Sequence, residues 1–143
     1  EIGNPSGIAS GATRFTKNPK ELLIAEYASK AIIESGYFKE GFSFQTGSGG
    51  SSLAVTRFIK NEMVKRGMKA SFALGGITQP MVEMLEEGLV QQLFDVQSFD
   101  LIAADSISTN QKHFEIDASM YANPHNKGCM ANMLDVVILS ALE

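Results

Sequence analysis

Tryptophan is absent from this chain, cysteine occurs once, histidine twice and proline four times in 143 residues. The lone Cys129 cannot cross-link the chain to itself and cannot by itself make a zinc site. No apolar run approaches the roughly 18 residues needed to cross a bilayer, and the first residues do not read as a charged-then-apolar signal segment. Excess positive charge is missing too. The net charge is −4, so nucleic acid and anionic membrane are poor default partners. What is present is a composition that folds: 44% hydrophobic against 20% charged residues is enough for a core. The length suits one domain. A globular, cytoplasmic α/β protein is the expectation at this level.

Residues 1–17 are rich in Gly, Ser, Thr, Asn and Pro and read as a loop or linker; residues 18–143 read as a single α/β domain. Both ends look like cuts within a longer polypeptide, since Glu1 opens the chain and the apolar run Val136–Leu139 lies almost at its close. Asn18 is placed to cap a helix with Pro19 in its first turn, and Ile24, Tyr27, Ala28, Ala31 and Ile32 recur on one face up to Gly36. Phe42–Gln45 reads as a strand. A helix follows from about Ser51 to Arg66, with Val55, Phe58, Ile59 and Met63 inward. Ala70–Leu74 reads as the next strand, broken at Gly75-Gly76. A helix from Pro80 then turns Met81, Met84 and Leu85 inward, Leu89–Val96 is a strand, and residues 99–109 favour a helix. Residues 110–133 read as irregular, one short strand or helical turn plus loop. Leu134–Leu142 reads as a last strand buried on both faces. Such alternation predicts right-handed β-α-β units around a mostly parallel sheet flanked by helices in three α/β/α layers.

The most informative stretch is Gln45-Thr46-Gly47-Ser48-Gly49-Gly50-Ser51-Ser52, between a strand and a helix. Ligands of open parallel sheets gather at the carboxyl ends of strands, and a helix N-terminus there presents N–H groups to negative oxygen. Three uses fit: a phosphate, a substrate carboxylate, or the oxyanion of acyl transfer, where one lost donor typically costs about 3–4 kcal/mol. A plain tight turn is the alternative. No Lys-Ser or Lys-Thr follows the glycines, which argues against a Walker loop, and Ser52 stands where a dinucleotide fingerprint needs its third glycine.

Gln45-x-Gly47-x-Gly49 followed by Ala54-Val55 resembles the loop of the family I CoA-transferase superfamily. Three longer stretches narrow this: Ile2-Gly3-Asn4-Pro5 through Lys17-Asn18-Pro19, Gly36 through Gly47, and Asp135 through Glu143 resemble the central part of the citrate lyase α-subunit family. That resemblance implies a CoA-transferase-like fold and transfer of an acyl group from acetyl-carrier-protein (or acetyl-CoA) to citrate. It also implies citrate, an acyl carrier protein (γ) subunit and a lyase (β) subunit as partners in an oligomeric complex. No cofactor is held by this chain itself; the thioester substrate brings a phosphopantetheine-type arm or CoA. Related transferases that use a glutamate nucleophile carry Gly-x-His-Thr-Glu-Met after the next strand. Here Gly75-Gly76-Ile77-Thr78-Gln79-Pro80 stands there, and Gln79 replaces the Glu. An amide is no carboxylate nucleophile. The resemblance therefore favours direct attack by a citrate carboxylate through a mixed anhydride, with positioning and oxyanion stabilisation left to the protein.

The expected catalytic residues are Gly49, Gly50 and Gln79. The expected substrate-binding residues are Gln45, Gly47, Ser48, Ser51 and Arg57, with Arg14 competing for the role of Arg57 as carboxylate partner. Glu83, Glu86 and Glu87 read as a solvated helix face, Asp105 as a cap or turn residue, and the seven Met residues as core filling. No metal site is expected from His113 and His125, and a Cys129–His125 dyad lacks an orienting third group. Two rival readings stay open: a scaffold piece completed by other segments, and a thioester hydrolase on the same fold.

Overall fold

The structure is a computed structural model and describes residues 14–140; the readings made for residues 1–13 and 141–143 lie outside it. In chain order the elements are α1 (Pro19–Glu34), β1 (Ser43–Thr46), α2 (Gly50–Arg66), β2 (Ala70–Ile77), α3 (Gln79–Glu86), β3 (Val90–Ser98), α4 (Leu101–Thr109), β4 (His113–Glu115), α5 (Ala118–Tyr121), a 3-10 turn (Met130–Met133) and β5 (Val136–Ile138). The strands form one sheet in the order β4-β3-β2-β1-β5, and each pairing is parallel. The predicted parallel sheet flanked by helices is therefore what this chain adopts.

Topology divides the helices unequally between the two faces. The chain steps from β1 to β2 to β3 to β4 in one direction, so right-handed crossovers place α2, α3 and α4 on the same face. There Phe42, Phe44, Ala73, Ile77, Leu93 and Ile138 meet Ala54, Val55, Ile59, Met63, Met81, Met84 and Ala103 in the main core. The return from β4 to β5 runs the other way across the whole sheet, which puts it on the opposite face. That face carries Phe72, Leu74, Phe94 and Val96, covered by Ile116, Tyr121, Met130 and Leu134 of the crossover. The third layer is thus a strap with one short helix, not a row of helices.

Three expectations are corrected. On α1 Ala28 and Ile32 pack against the core as read, but the fully buried residues are Ala25 and Ser29, while Ile24 and Tyr27 are each 63% exposed and Ala31 is exposed. α1 packs chiefly on α2, with small residues buried at the contact and Ile24 and Tyr27 falling outside it. Second, β2 does not break at Gly75-Gly76 but runs on to Ile77 with a register shift against β3 between those two glycines. Third, the last strand is short and sits at the sheet edge, paired with β1 alone. Its apolar run therefore alternates, Val136 and Ile138 in and Val137 out. In the stretch read as irregular, β4, α5 and the 3-10 turn take shape.

Asp100 joins two of the crossovers. Its Oδ1 accepts from the N–H of Ala103 at 2.9 Å, capping α4, and its Oδ2 accepts from the N–H of Gln79 at 2.7 Å at the start of α3. One carboxylate thus serves two helix N-termini, where an acceptor is typically worth about 0.5–2 kcal/mol each. Asp100→Ala is expected to lose roughly 2 kcal/mol of stability on this basis, read as a lower urea midpoint at unchanged slope. A midpoint equal to wild type would show that neither cap contributes.

Candidate active site

β1 ends where the glycine loop begins, and the loop opens α2. Gly49 is the N-cap residue of α2, in extended backbone (φ −67°, ψ 151°), and no side chain caps the helix among the described residues. Among the described residues the first N–H groups of this 17-residue helix, at the strand ends, have no hydrogen-bond acceptor. Gly47 is different. Its N–H donates to the carbonyl of Ile138 at 2.9 Å, so it ties the loop to β5 and is not available to an oxyanion. Gly50 is where the loop must be small, since a Cβ there would sit 3.0 Å from both the Arg14 carbonyl and the Thr16 nitrogen. Ser48 is half-buried beside it. Ser51 donates to Glu21 at 3.4 Å, and the hydroxyls of Ser52 and Ser140 lie 2.9 Å apart. Below the loop, the Thr56 hydroxyl lies 3.0 Å from that of Thr46 and 2.9 Å from the Ser52 carbonyl, which fixes α2 to the end of β1.

Gln45 points to the other face of the sheet. Its Oε1 accepts from the Tyr121 hydroxyl at 2.9 Å, and its side chain fills the space over Gly75. Gly75 has φ +115°, a conformation that side chains rarely adopt, and a Cβ there would stand 3.2 Å from Gln45 Cγ. At Gly76 a Cβ would overlap the Phe99 ring at 1.8 Å. The glycine pair read from the sequence as a strand break is thus a clearance for Gln45 on one side and Phe99 on the other. Irregular pairing of this kind is common beside active sites.

The other predicted residues gather elsewhere. Arg57 is exposed on α2 and lines a groove of about 280 Å³ between α2 and α3, with Lys60, Asn61, Pro80 and Glu83. Gln79 is also exposed, at the first position of α3, and its Nε2 donates to Glu83 at 2.8 Å. The residues singled out by sequence therefore fall in three places: Gly47–Ser51 at the start of α2, Gln45 on the other face of the sheet against Tyr121 and Gly75, and Arg57 in the helix groove, whose Glu83 holds Gln79. Arg14 lies against the loop through its backbone, at Gly50. Glu86 and Glu87 are exposed, Glu87 holding Lys60 at 2.7 Å. Cys129 is buried and His125 exposed, and among the described residues no group of three or more His, Cys, Asp or Glu could hold a metal.

Sequence reasoning missed two features. Tyr121 lay in a stretch without periodicity, and its contact with Gln45 spans 76 residues. Asp95 read as one polar residue of a strand. It is 1% exposed, accepts from the Ser98 hydroxyl at 2.5 Å, and lies 3.4 Å from Nε2 of the buried His113, whose Nδ1 is 2.9 Å from the Ser106 hydroxyl. The one available signal was His113 in an otherwise polar segment.

The chain is an α/β protein built on an open parallel sheet, the architecture in which ligands generally gather at the carboxyl ends of the strands. The family model described as "Citrate lyase, alpha subunit (CitF)" matches residues 1–143, and the chain belongs to that family. It is 57% identical over 142 residues to the citrate lyase alpha chain of Escherichia coli (strain K12) and 55% identical over 142 residues to that of Haemophilus influenzae, covering 99% of this chain in each case. A crystal structure from Streptococcus mutans, assigned as an alpha subunit of citrate lyase in complex with citrate, matches all of this chain at 64% identity with a TM-score of 0.92. This chain spans only 28% of the length of these relatives. Among the described residues no helix is long and apolar enough to cross a membrane.

Proposed function

We propose that this chain supplies the thioester half of an acyl-transfer site in citrate lyase, exchanging the acetyl group of an acyl-carrier-protein thioester for citrate. The observation that carries this reading is the side-chain-free N-terminus of α2 at the end of β1, in a chain of the citrate lyase α family. A citrate carboxylate attacks the acetyl thioester carbonyl. The oxyanion that develops at the strand ends is met by the N–H groups at Gly49 and Gly50 from the α2 side, and by the Gln45 amide reaching over from the strap side, where preorganised donors act without reorganising. Collapse expels the carrier thiolate and leaves an acetyl–citryl anhydride. The thiolate then attacks the citryl carbonyl, giving citryl thioester and acetate. Ser48 and Ser51 flank the loop, and Gly47 holds it to β5.

Citrate's remaining carboxylates need cations. Arg57 in the α2–α3 groove is the candidate here, and Gln79 joins it once it exchanges Glu83 for substrate. The rest of a full-length α chain, the carrier (γ) subunit and the lyase (β) subunit complete the site and the assembly in this reading, which is set in the cytoplasm.

The test is acceptor dependence. A full-length α chain carrying this sequence is mixed with acetyl-carrier protein, and acetate is measured with and without citrate. Transfer predicts release that depends on citrate, with citryl thioester formed in equal amount. Citrate-independent release would replace transfer by thioester hydrolysis. No release under either condition would sink both and leave the scaffold reading.

A further inference from the structure

Gln45 is useful to an oxyanion through only one end of its amide. Nε2 carries two N–H donors; Oε1 would repel negative charge. A free glutamine turns its amide either way, so something must set it. On this chain the group beside it is Tyr121, whose phenol both donates and accepts but is the stronger donor and so favours Oε1. Its hydroxyl donates to Oε1 at 2.9 Å, and among the described residues nothing accepts from Nε2. Nε2 is left 3.5 Å from where a Gly75 Cβ would be, over the last residues of β2.

The phenol is itself held. Tyr121 is the last residue of α5, and its ring packs in the second core with Leu74, Ile116 and Met130. The start of α5 is capped by Asp117, whose side chain accepts from the N–H of Met120 at 2.8 Å. Gly75 completes the arrangement, because a side chain there would press on the Gln45 stem.

We infer that Tyr121 is a positioning residue for acyl transfer: it fixes the Gln45 amide with its donor end toward the thioester oxyanion. The inference rests on the acyl-transfer reading of Gln45 given above. It makes the β4–β5 strap part of the site, although no residue of the strap touches the reacting atoms.

The experiment uses the full-length α chain carrying this sequence, with acetyl-carrier protein and citrate, and compares Tyr121→Phe, Gln45→Ala and the double variant. Tyr121→Phe keeps the ring and its packing, so the thermal midpoint stays near wild type. Its kcat is expected to fall about tenfold, the size of one neutral hydrogen bond, while KM for the thioester changes less than twofold. The double variant should match Gln45→Ala, because the hydroxyl has nothing left to orient. Wild-type kcat in Tyr121→Phe beside a large loss in Gln45→Ala would overturn the positioning role alone. So would a further tenfold loss in the double variant, since the hydroxyl would then act on another group. Wild-type kcat in Gln45→Ala would overturn the reading of Gln45 itself, and the inference with it.

Discussion

Gly49→Val is expected to fold and to lose about 100- to 1000-fold in citrate-dependent acetate release, the usual size of one disabled oxyanion donor. The backbone at Gly49 is ordinary extended chain that any residue adopts. A Cβ there meets nothing closer than the Ser140 hydroxyl at 3.6 Å, an ordinary contact. Glycine is therefore not required at this position for folding. The branched side chain stands at the mouth of α2, in front of the N–H groups that would receive the oxyanion. The stability loss should be about 1 kcal/mol, the difference between Gly and Val at an N-cap. Gly50→Val would not serve, because its side chain would collide with the backbone of Arg14 and Thr16. The check is kcat beside a thermal midpoint. A folded Gly49→Val protein with wild-type kcat removes the α2 N-terminus from the reaction.

His113→Ala is expected to cost about 1–3 kcal/mol of stability, the usual cost of leaving a buried polar group, here the Ser106 hydroxyl, without its partner. The side chains of His113 and Asp95 are 0% and 1% exposed, and they lie on the adjacent strands β4 and β3. Without the imidazole, Asp95 keeps only the Ser98 hydroxyl, and Ser106 loses its own partner. The diagnostic measurement is a double-mutant cycle by urea denaturation. Asp95→Ala/His113→Ala should be less destabilised than the sum of the single variants, because the second change removes the orphaned group. Strict additivity would mean that the two side chains do not interact.

Much of the fold was legible because local rules and tertiary packing agree. Val55, Ile59 and Met63 repeat at helical spacing and are buried where α2 meets the sheet. Asn18 does cap α1, its side chain accepting from Lys20. The misreadings have specific causes. On α1 periodicity found Ala28 and Ile32, which pack against the core, but added the exposed Ile24 and Tyr27 and passed over the buried Ala25 and Ser29. Val136–Leu139 read as doubly buried because composition does not distinguish an edge strand from a central one. Gly75-Gly76 was legible as a break in pattern but not as clearance, since Gln45 and Phe99 come from other strands and loops. At the candidate site the glycine loop and Gln45 were visible as a motif. Tyr121 was not, because its role exists only across a long crossover.

That crossover also sets the order in which the protein can be assembled. Each neighbouring pair from β1 to β4 is joined through a single intervening helix. β5 alone must wait, since Ser43 and Asp135 meet across 92 residues. Loop closure of that span comes after the local β-α-β units have formed, because long-range contacts return nothing until the chain between them is already ordered. Gln45 with Tyr121, and Gly47 with Ile138, belong to this final closure. The ligand-facing end of the sheet is thus the part of the molecule completed last. A chain caught before that step would present an unpaired β1 edge, the kind of surface on which strands from separate chains associate.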